Sequence, residues 1–197
     1  MKFSGDPARM LHARLAAAIL CLAVAGCVTS SEPVLGDAKA ILGERGQLHI
    51  FTAPKNGERD VLRYRFQWHK DRYVTPPSGG TGTSEFTAHA FEGRDLIVQW
   101  TGAPLWTPKR KLTVRQIHYY LARRVAEGTY LFFPISEDDA DDAARKRFCT
   151  SSPETKCRIS TPEQLFVFAR AAAEKEDHDA GVAVIVPTRP PAKGKKR

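Results

Sequence analysis

The strongest constraint on the fold is a run in which large apolar side chains alternate with polar ones. From position 62 to position 68 every even residue is apolar and every odd residue is arginine or glutamine. Successive side chains of a β-strand point to opposite faces, so the run predicts a half-buried strand. The predicted core-facing residues are Leu62, Tyr64, Phe66 and Trp68.

Further strand signals surround this run and are separated by short turns. They lie at residues 47–53, 73–75, 84–91, 95–101, 129–135 and 181–187. Strands joined by short reversals pair in antiparallel fashion. We therefore predict an α+β fold, with an antiparallel β-meander or partial barrel of about six to eight strands and two C-terminal helices.

Residues 113–127 fit two structures. A capping box at Thr113–Gln116, apolar residues at helical spacing and Gly128 as a stop favour a helix. The many aromatic and β-branched residues, and the strand pattern that follows Gly128, favour a strand of a hairpin. We favour the strand.

Two segments near the C-terminus have helical start signals. Ser136 with Asp139 begins the first, which is acidic at its start and basic at residues 145–147. Thr161, Pro162 and Gln164 begin the second, which is expected to run to about residue 176. Its expected buried face consists of Leu165, Phe168, Ala169 and Ala172.

The N-terminus has the pattern of a secretory signal. Residues 15–28 carry no charge and follow Lys2, Arg9 and Arg14. This stretch is too short to span a bilayer, whereas a basic start, a short apolar segment and a small-residue exit are typical of an export signal. Either Met1 or Met10 fits as the true start.

The exit of this segment, LAVAGC at residues 22–27, resembles the lipobox of bacterial prolipoproteins. The resemblance implies cleavage before Cys27, a diacylglyceryl group on its thiol and a third chain, such as palmitate, on the new amine. Val28 stands where that family's inner-membrane retention signal would be an aspartate, which implies outer-membrane sorting in a Gram-negative cell. The alternative is an ordinary cleaved signal that happens to contain a cysteine.

The domain organisation follows from this interpretation. We expect a signal peptide at residues 1–26, a lipid-anchored tether at 27–46, one globular domain at 47–187 and a basic disordered tail at 188–197. Five basic residues in that tail account for much of the formal net charge of +8. Because an exported protein seldom meets nucleic acid, we expect none as a partner, and anionic lipid or another envelope polyanion is the better candidate. The alternative, which we favour, is a solvated, disordered tail with no partner.

Two cysteines remain after Cys21 leaves with the signal and Cys27 is acylated. Cys149 and Cys157 bracket a short, turn-rich segment, and an oxidising envelope would favour a disulfide between them. The alternatives are a free or a metal-binding pair, but the sequence offers no further ligands at zinc-site spacing.

Evidence for catalysis in the sequence is weak. The candidate catalytic or metal-binding histidines of the mature chain are His49, His69, His89, His118 and His178. By strand parity, His69, His89 and His118 fall on polar faces, although a closed barrel could turn such a face inward. The acidic run at residues 137–142 lacks the glycine of a calcium loop and is explained by helix-start electrostatics. No serine elbow or HExxH motif is present, so we predict no metal and no cofactor.

One loop offers a candidate binding surface. Trp106 lies between prolines and is followed by the cations Lys109, Arg110 and Lys111. Such a group can stack on a sugar, sit at a lipid interface or dock a protein. The alternative is that Trp106 plugs the end of the core while the cations stay in solvent.

These observations predict a non-enzymatic, lipid-anchored envelope protein in the periplasm that binds or scaffolds a protein, a glycan or anionic lipid. One alternative is a periplasmic hydrolase with a site made of histidine and carboxylate. The other is a lipocalin-like carrier, which requires an empty apolar lumen.

Overall fold

A computed structural model describes residues 28–51, 61–76, 83–102, 105, 116–149, 157–175 and 181–187. The strands are β1 (Thr29–Ser30), β2 (Arg45–Phe51), β3 (Val61–His69), β4 (Arg72–Thr75), β5 (Ser84–Ala90), β6 (Leu96–Thr101), β7 (Ile117–Ala126), β8 (Thr129–Pro134) and β9 (Gly181–Pro187). The helices are a 3-10 turn (Glu137–Asp139), α1 (Asp142–Phe148) and α2 (Pro162–Glu174).

The strands form a closed antiparallel barrel. Each strand from β2 to β8 pairs with the next along the chain, and β9 pairs with both β8 and β2. This closure, in which His49 stands opposite Val184, completes a ring of eight strands. The predicted α+β class, with an antiparallel sheet and two C-terminal helices, is confirmed, but the expected meander or partial barrel is a closed barrel. The sheet nevertheless has nine strands, more than expected, because β1 adds to β7 outside the ring.

The first core fills the barrel. Tyr64 and Phe66 are buried, and Leu62 and Trp68 are half-buried against the same cluster, so the predicted inward face of β3 is confirmed. Aromatic rings follow one another through the interior, with Tyr64 5.2 Å and Phe86 5.4 Å from Trp100 between ring centroids. Gly46 faces inward where a Cβ atom would lie 2.7 Å from the Phe66 ring, so any larger residue would force this ring to move.

A second core lies outside the barrel, between α2 and the outer face of β6, β7 and β8. The predicted face of α2 is confirmed, since its buried residues are Leu165, Phe168, Ala169 and Ala172. Together with part of the N-terminal segment they cover the outward side chains Ile97, Ile117, Tyr119, Leu121 and Phe133.

Strand β7 is buried on both faces over most of its length. Its even-numbered residues face the barrel interior and its odd-numbered residues face the second core. This double burial explains why residues 113–127 lacked a clear alternation. The preferred interpretation, a strand, is correct from Ile117 onward, and Gly128, with a φ of 65°, makes the hairpin turn.

The helix starts agree with the sequence, but the first helix is divided. Ser136 and Asp139 form the expected capping box, which begins only the 3-10 turn, because Ala140 is extended and packs into the second core. Asp141 then caps α1, accepting from the Ala144 amide. Thr161 and Gln164 form the expected box of α2. Among the described residues, no helix has the length and apolar character that crossing a bilayer requires.

The tether expected at residues 27–46 needs correction. Val28 is fully buried, and Thr29–Ser30 pairs with the start of β7. The amides of Val34 and Leu35 donate to the side-chain oxygen of Gln99, at 3.0 and 3.1 Å. Residues 28–35 therefore pack on the barrel, because their apolar side chains complete the second core, and they do not form a free tether.

Candidate functional site

The first candidate site is the segment that follows Cys27, where the N-terminal chain is hydrogen-bonded to the barrel. Cys27 lies outside the described residues, but its neighbour Val28 donates its amide to the Ile135 carbonyl at 2.9 Å. The described chain therefore begins at the wall of the barrel, one residue after Cys27.

Three further contacts hold this attachment. The Thr29 amide donates to the Cys157 carbonyl at 3.2 Å, and the Ile159 amide donates to the Thr29 carbonyl at 3.1 Å. The hydroxyl groups of Ser30 and Tyr119 share a buried hydrogen bond of 2.7 Å. We call residues 28–30, together with these partners, the N-terminal clamp.

The disulfide predicted between Cys149 and Cys157 is confirmed. It joins the end of α1 to the segment that pairs with Thr29, and so it braces the N-terminal clamp. Glu137 accepts from the Cys157 amide at 3.0 Å. These three side chains are the one group in the described chain with the composition and spacing of a metal site. In the oxidised form both sulfurs are bonded to each other, so neither is available as a thiolate ligand.

Removing this disulfide is expected to destabilise the fold. The double variant Cys149→Ala, Cys157→Ala should lose about 2–3 kcal/mol in free energy of unfolding, because the unfolded chain regains the freedom of a short closed loop. Urea unfolding followed by circular dichroism measures the loss. Wild-type protein treated with a reductant should lose the same amount. A double variant as stable as the oxidised wild type would contradict the prediction.

The histidines do not form one site within the described part of the chain. On the outer face, His49 Nε2 lies 3.0 Å from the Gln47 amide oxygen and His89 Nε2 lies 2.8 Å from the Thr87 hydroxyl. His69 is exposed at the end of β3, whereas His118 points into the barrel. His178 lies outside the described residues. Among the described residues, no group of side chains close enough together to bind a metal ion includes a histidine.

His118 lies in a more buried environment than its polar neighbours in the sequence predicted. It stands opposite Trp100 on the inward side of β7 and is only 5% exposed. Neither ring nitrogen has a hydrogen-bond partner among the described residues. Burial lowers the pKa of His118 to about 4, because the charged form is poorly solvated there. Of the two alternatives for His118, the solvent-facing one is wrong and the inward-facing one, which requires a closed barrel, is correct.

A buried amide that the sequence analysis did not single out fastens the N-terminal segment. Besides accepting from the chain at residues 34–35, Gln99 donates through Nε2 to the Thr87 hydroxyl at 3.1 Å. The same hydroxyl contacts His89, and burial lowers the pKa of this histidine. The sequence signal for this role is a glutamine among the apolar residues of β6, because a buried amide needs hydrogen-bond partners.

The candidate binding surface of Trp106, Lys109, Arg110 and Lys111 lies outside the described residues. Its neighbour Leu105 is fully buried and donates its amide to the Tyr120 hydroxyl at 3.0 Å. The chain therefore enters the barrel core one residue before Trp106.

The acidic residues at positions 137–142 serve local structure, as the sequence analysis expected. Asp139 pairs with Lys175 at 3.1 Å, and Arg145 pairs with Asp142. With Asp141 as a helix cap and Glu137 on the Cys157 amide, most of these carboxylates have protein partners.

The barrel interior retains one small space in its described part. An apolar cavity of about 20 Å³ lies between residues such as Leu42, Leu48, Val98 and Tyr130. Ligand sites for small molecules usually have volumes of about 300 Å³ or more. As it stands, this cavity is large enough only for about one water molecule and offers it no polar partner.

These features define an α+β protein with a filled, closed antiparallel barrel, one helix on its outer wall and its N-terminal segment clamped beside that helix. Comparisons with known proteins found no match to a protein-family model, to a curated protein or to a solved structure.

Proposed function

We propose that this chain is a lipid-anchored protein of the bacterial envelope with a non-enzymatic binding or scaffolding role in the periplasm. In a Gram-negative cell its place is the outer membrane, facing the periplasm. The observation that carries the proposal is the resemblance of residues 22–27 to a lipobox, followed at once by a packed chain in which Val28 is fully buried.

Processing before Cys27 is compatible with the described contacts. The clamp begins with the Val28 amide, so removal of residues 1–26 would break none of its hydrogen bonds. The Cys149–Cys157 disulfide also suits an exported protein, because cytosolic thiols are kept reduced. Both observations support export and a mature chain that starts at Cys27.

The arrangement of the histidines supports a non-enzymatic role over the hydrolase alternative. General acid–base catalysis needs groups that converge on one substrate. His49 and His89 lie on the outer surface of different strands, whereas His118 faces inward. A hydrolytic site would have to use one of them alone or residues outside the described part of the chain.

The anchor is tested by replacing the two N-terminal cysteines separately. In the native host, Cys27→Ser is expected to give a protein without fatty acids, while the matched control Cys21→Ser is expected to be processed like the wild type. Intact mass spectrometry measures the first residue and the acyl groups. Wild-type protein that still begins with methionine, or that carries no acyl chain, would refute the proposal.

The binding role is tested by crosslinking in intact cells followed by a pulldown. We expect an envelope component to be captured by the wild type and to be reduced by Trp106→Ala or by deletion of residues 188–197. Absence of any envelope partner from all three versions would contradict a scaffolding role.

One observation favours the carrier alternative: the closed barrel itself, a shape that also holds apolar ligands in lipocalins. The apolar cavity of about 20 Å³ is far below the volume of such a ligand, so the interior would have to open. Mass spectrometry of organic extracts from the purified protein tests this function. A stoichiometric apolar compound would support a carrier, and its absence would exclude one.

A further inference from the structure

An apolar surface lies uncovered on the outer wall of the barrel in its described part. Val61, Phe51 and Val182 stand side by side on β3, β2 and β9, and their side chains point outward. Phe51 is 41% exposed and Val182 is 38% exposed. Along β9 the outward residues Val184 and Val186 continue this surface. We call these five residues the barrel patch.

Positive charge borders the barrel patch. Arg63 and Arg65 are exposed on β3, next to the outward residues of β2, and Arg45 begins β2. The described outward positions of β2, β3 and β9 include these three arginines and no acidic residue. An apolar surface beside cations is complementary to a bilayer that contains anionic lipid.

The barrel patch lies near the point where the anchor would begin. Val28 bonds to Ile135, directly after β8, and β9 is the next strand of the barrel. Val182 stands opposite Leu131, four residues before Ile135 on that neighbouring strand. With strands about 4.8 Å apart and a rise of about 3.4 Å per residue, Val182 is roughly 15 Å from Ile135, the residue to which Val28 is hydrogen-bonded.

We propose that the barrel patch rests on the bilayer that holds the lipid anchor, with Arg63 and Arg65 contacting anionic headgroups. The inference depends on the proposed anchor at Cys27. Because the N-terminal clamp holds the chain to the barrel directly after Cys27, no flexible linker separates the barrel from the membrane surface. The barrel wall that carries the barrel patch and the arginines is the side suited to face that surface. Phe51 and the valines then enter the interfacial region of the bilayer.

Photocrosslinking from lipid to protein tests this orientation with the processed, full-length mature protein. The protein is reconstituted into vesicles of phosphatidylethanolamine, with or without phosphatidylglycerol, that contain a phospholipid with a diazirine near its headgroup. Mass spectrometry then locates the adducts. We expect them in peptides covering residues 45–51, 61–67 and 181–187, and more of them when phosphatidylglycerol is present.

Charge variants make the test specific. Val182→Asp and Phe51→Asp should each remove most adducts from these peptides, whereas Val125→Asp, at a valine that is 54% exposed outside the barrel patch, should not. In the double variant Arg63→Gln, Arg65→Gln, the increase in adducts that phosphatidylglycerol causes should fall roughly fivefold for each arginine replaced. Circular dichroism of each variant confirms that the fold is retained.

The failure of each proposal gives a different result. If the protein isolated from the native host carries no acyl chain, the proposed anchor is wrong. If it is acylated and held in vesicles but the adducts avoid the barrel patch, the orientation is wrong. Adducts that are independent of phosphatidylglycerol would overturn the role of the arginines. A dimer of the purified protein that Val182→Asp converts to a monomer would show that the patch is a dimer interface instead.

Discussion

Replacing Phe168 by alanine is expected to lower the free energy of unfolding by about 3–5 kcal/mol. The side chain is fully buried between α2 and the outer wall of the barrel, and its ring centroid lies 6.4 Å from that of Phe148. Removal of the ring leaves a cavity that the barrel and the disulfide-braced segment cannot readily fill. Equilibrium unfolding in urea measures the loss.

Phe166→Ala is the matched control for this prediction. It makes the same substitution on the same helix, but Phe166 is only half-buried and packs near Phe91 at the edge of the second core. We expect it to cost less than half as much as Phe168→Ala. Equal losses would contradict the prediction that burial in the second core determines the effect.

Acid is expected to destabilise the protein through His118. Burial lowers the pKa of this imidazole from 6.5 to about 4 in the folded protein. The unfolded chain therefore gains a proton as the pH falls below 6.5, while the folded protein does not until about pH 4. The contribution of neutral His118 is complete above pH 6.5 and falls by roughly 3 kcal/mol as the pH drops to 4.

The variant His118→Phe isolates this contribution. Phenylalanine suits the apolar surroundings of Trp100, so the variant should be at least as stable as the wild type near neutral pH and should lose less stability between pH 6.5 and 4. The difference between the two unfolding curves is the quantity to measure, because it removes the contribution of His89, whose pKa is also lowered by burial. His69→Phe, at an exposed position, is the control. A wild type and a His118→Phe variant with parallel pH profiles would contradict the prediction.

Several elements could be predicted because the interactions that set them are local. The alternation at Leu62–Trp68 defined an inward face, and the turn at Gly93, with a φ of 63°, follows from a glycine between two strand signals. The caps at Ser136 and Thr161 involve residues three positions apart. The disulfide followed from counting cysteines. Each of these signals lies within a few residues of the feature that it predicts.

The misjudged elements depend on segments that are distant in sequence. Residues 28–35 have no strand pattern of their own and are held by β7, by Ile135 and by Gln99. His118 is buried because a barrel closes on one side of β7 and a helix covers the other. The break at Ala140 likewise reflects packing into the second core. No local pattern contains that information.

The sequence by itself therefore determined the class of fold, the inward face of β3, the buried face of α2 and the cysteine pair. Only the tertiary structure decided that the barrel closes through β9, that its described interior is filled, and that the chain is clamped directly after Cys27. The physical reason is that strand parity, caps and turns arise from neighbouring residues. Burial arises from surfaces that meet only when strands separated by more than a hundred residues, such as β2 and β9, come together.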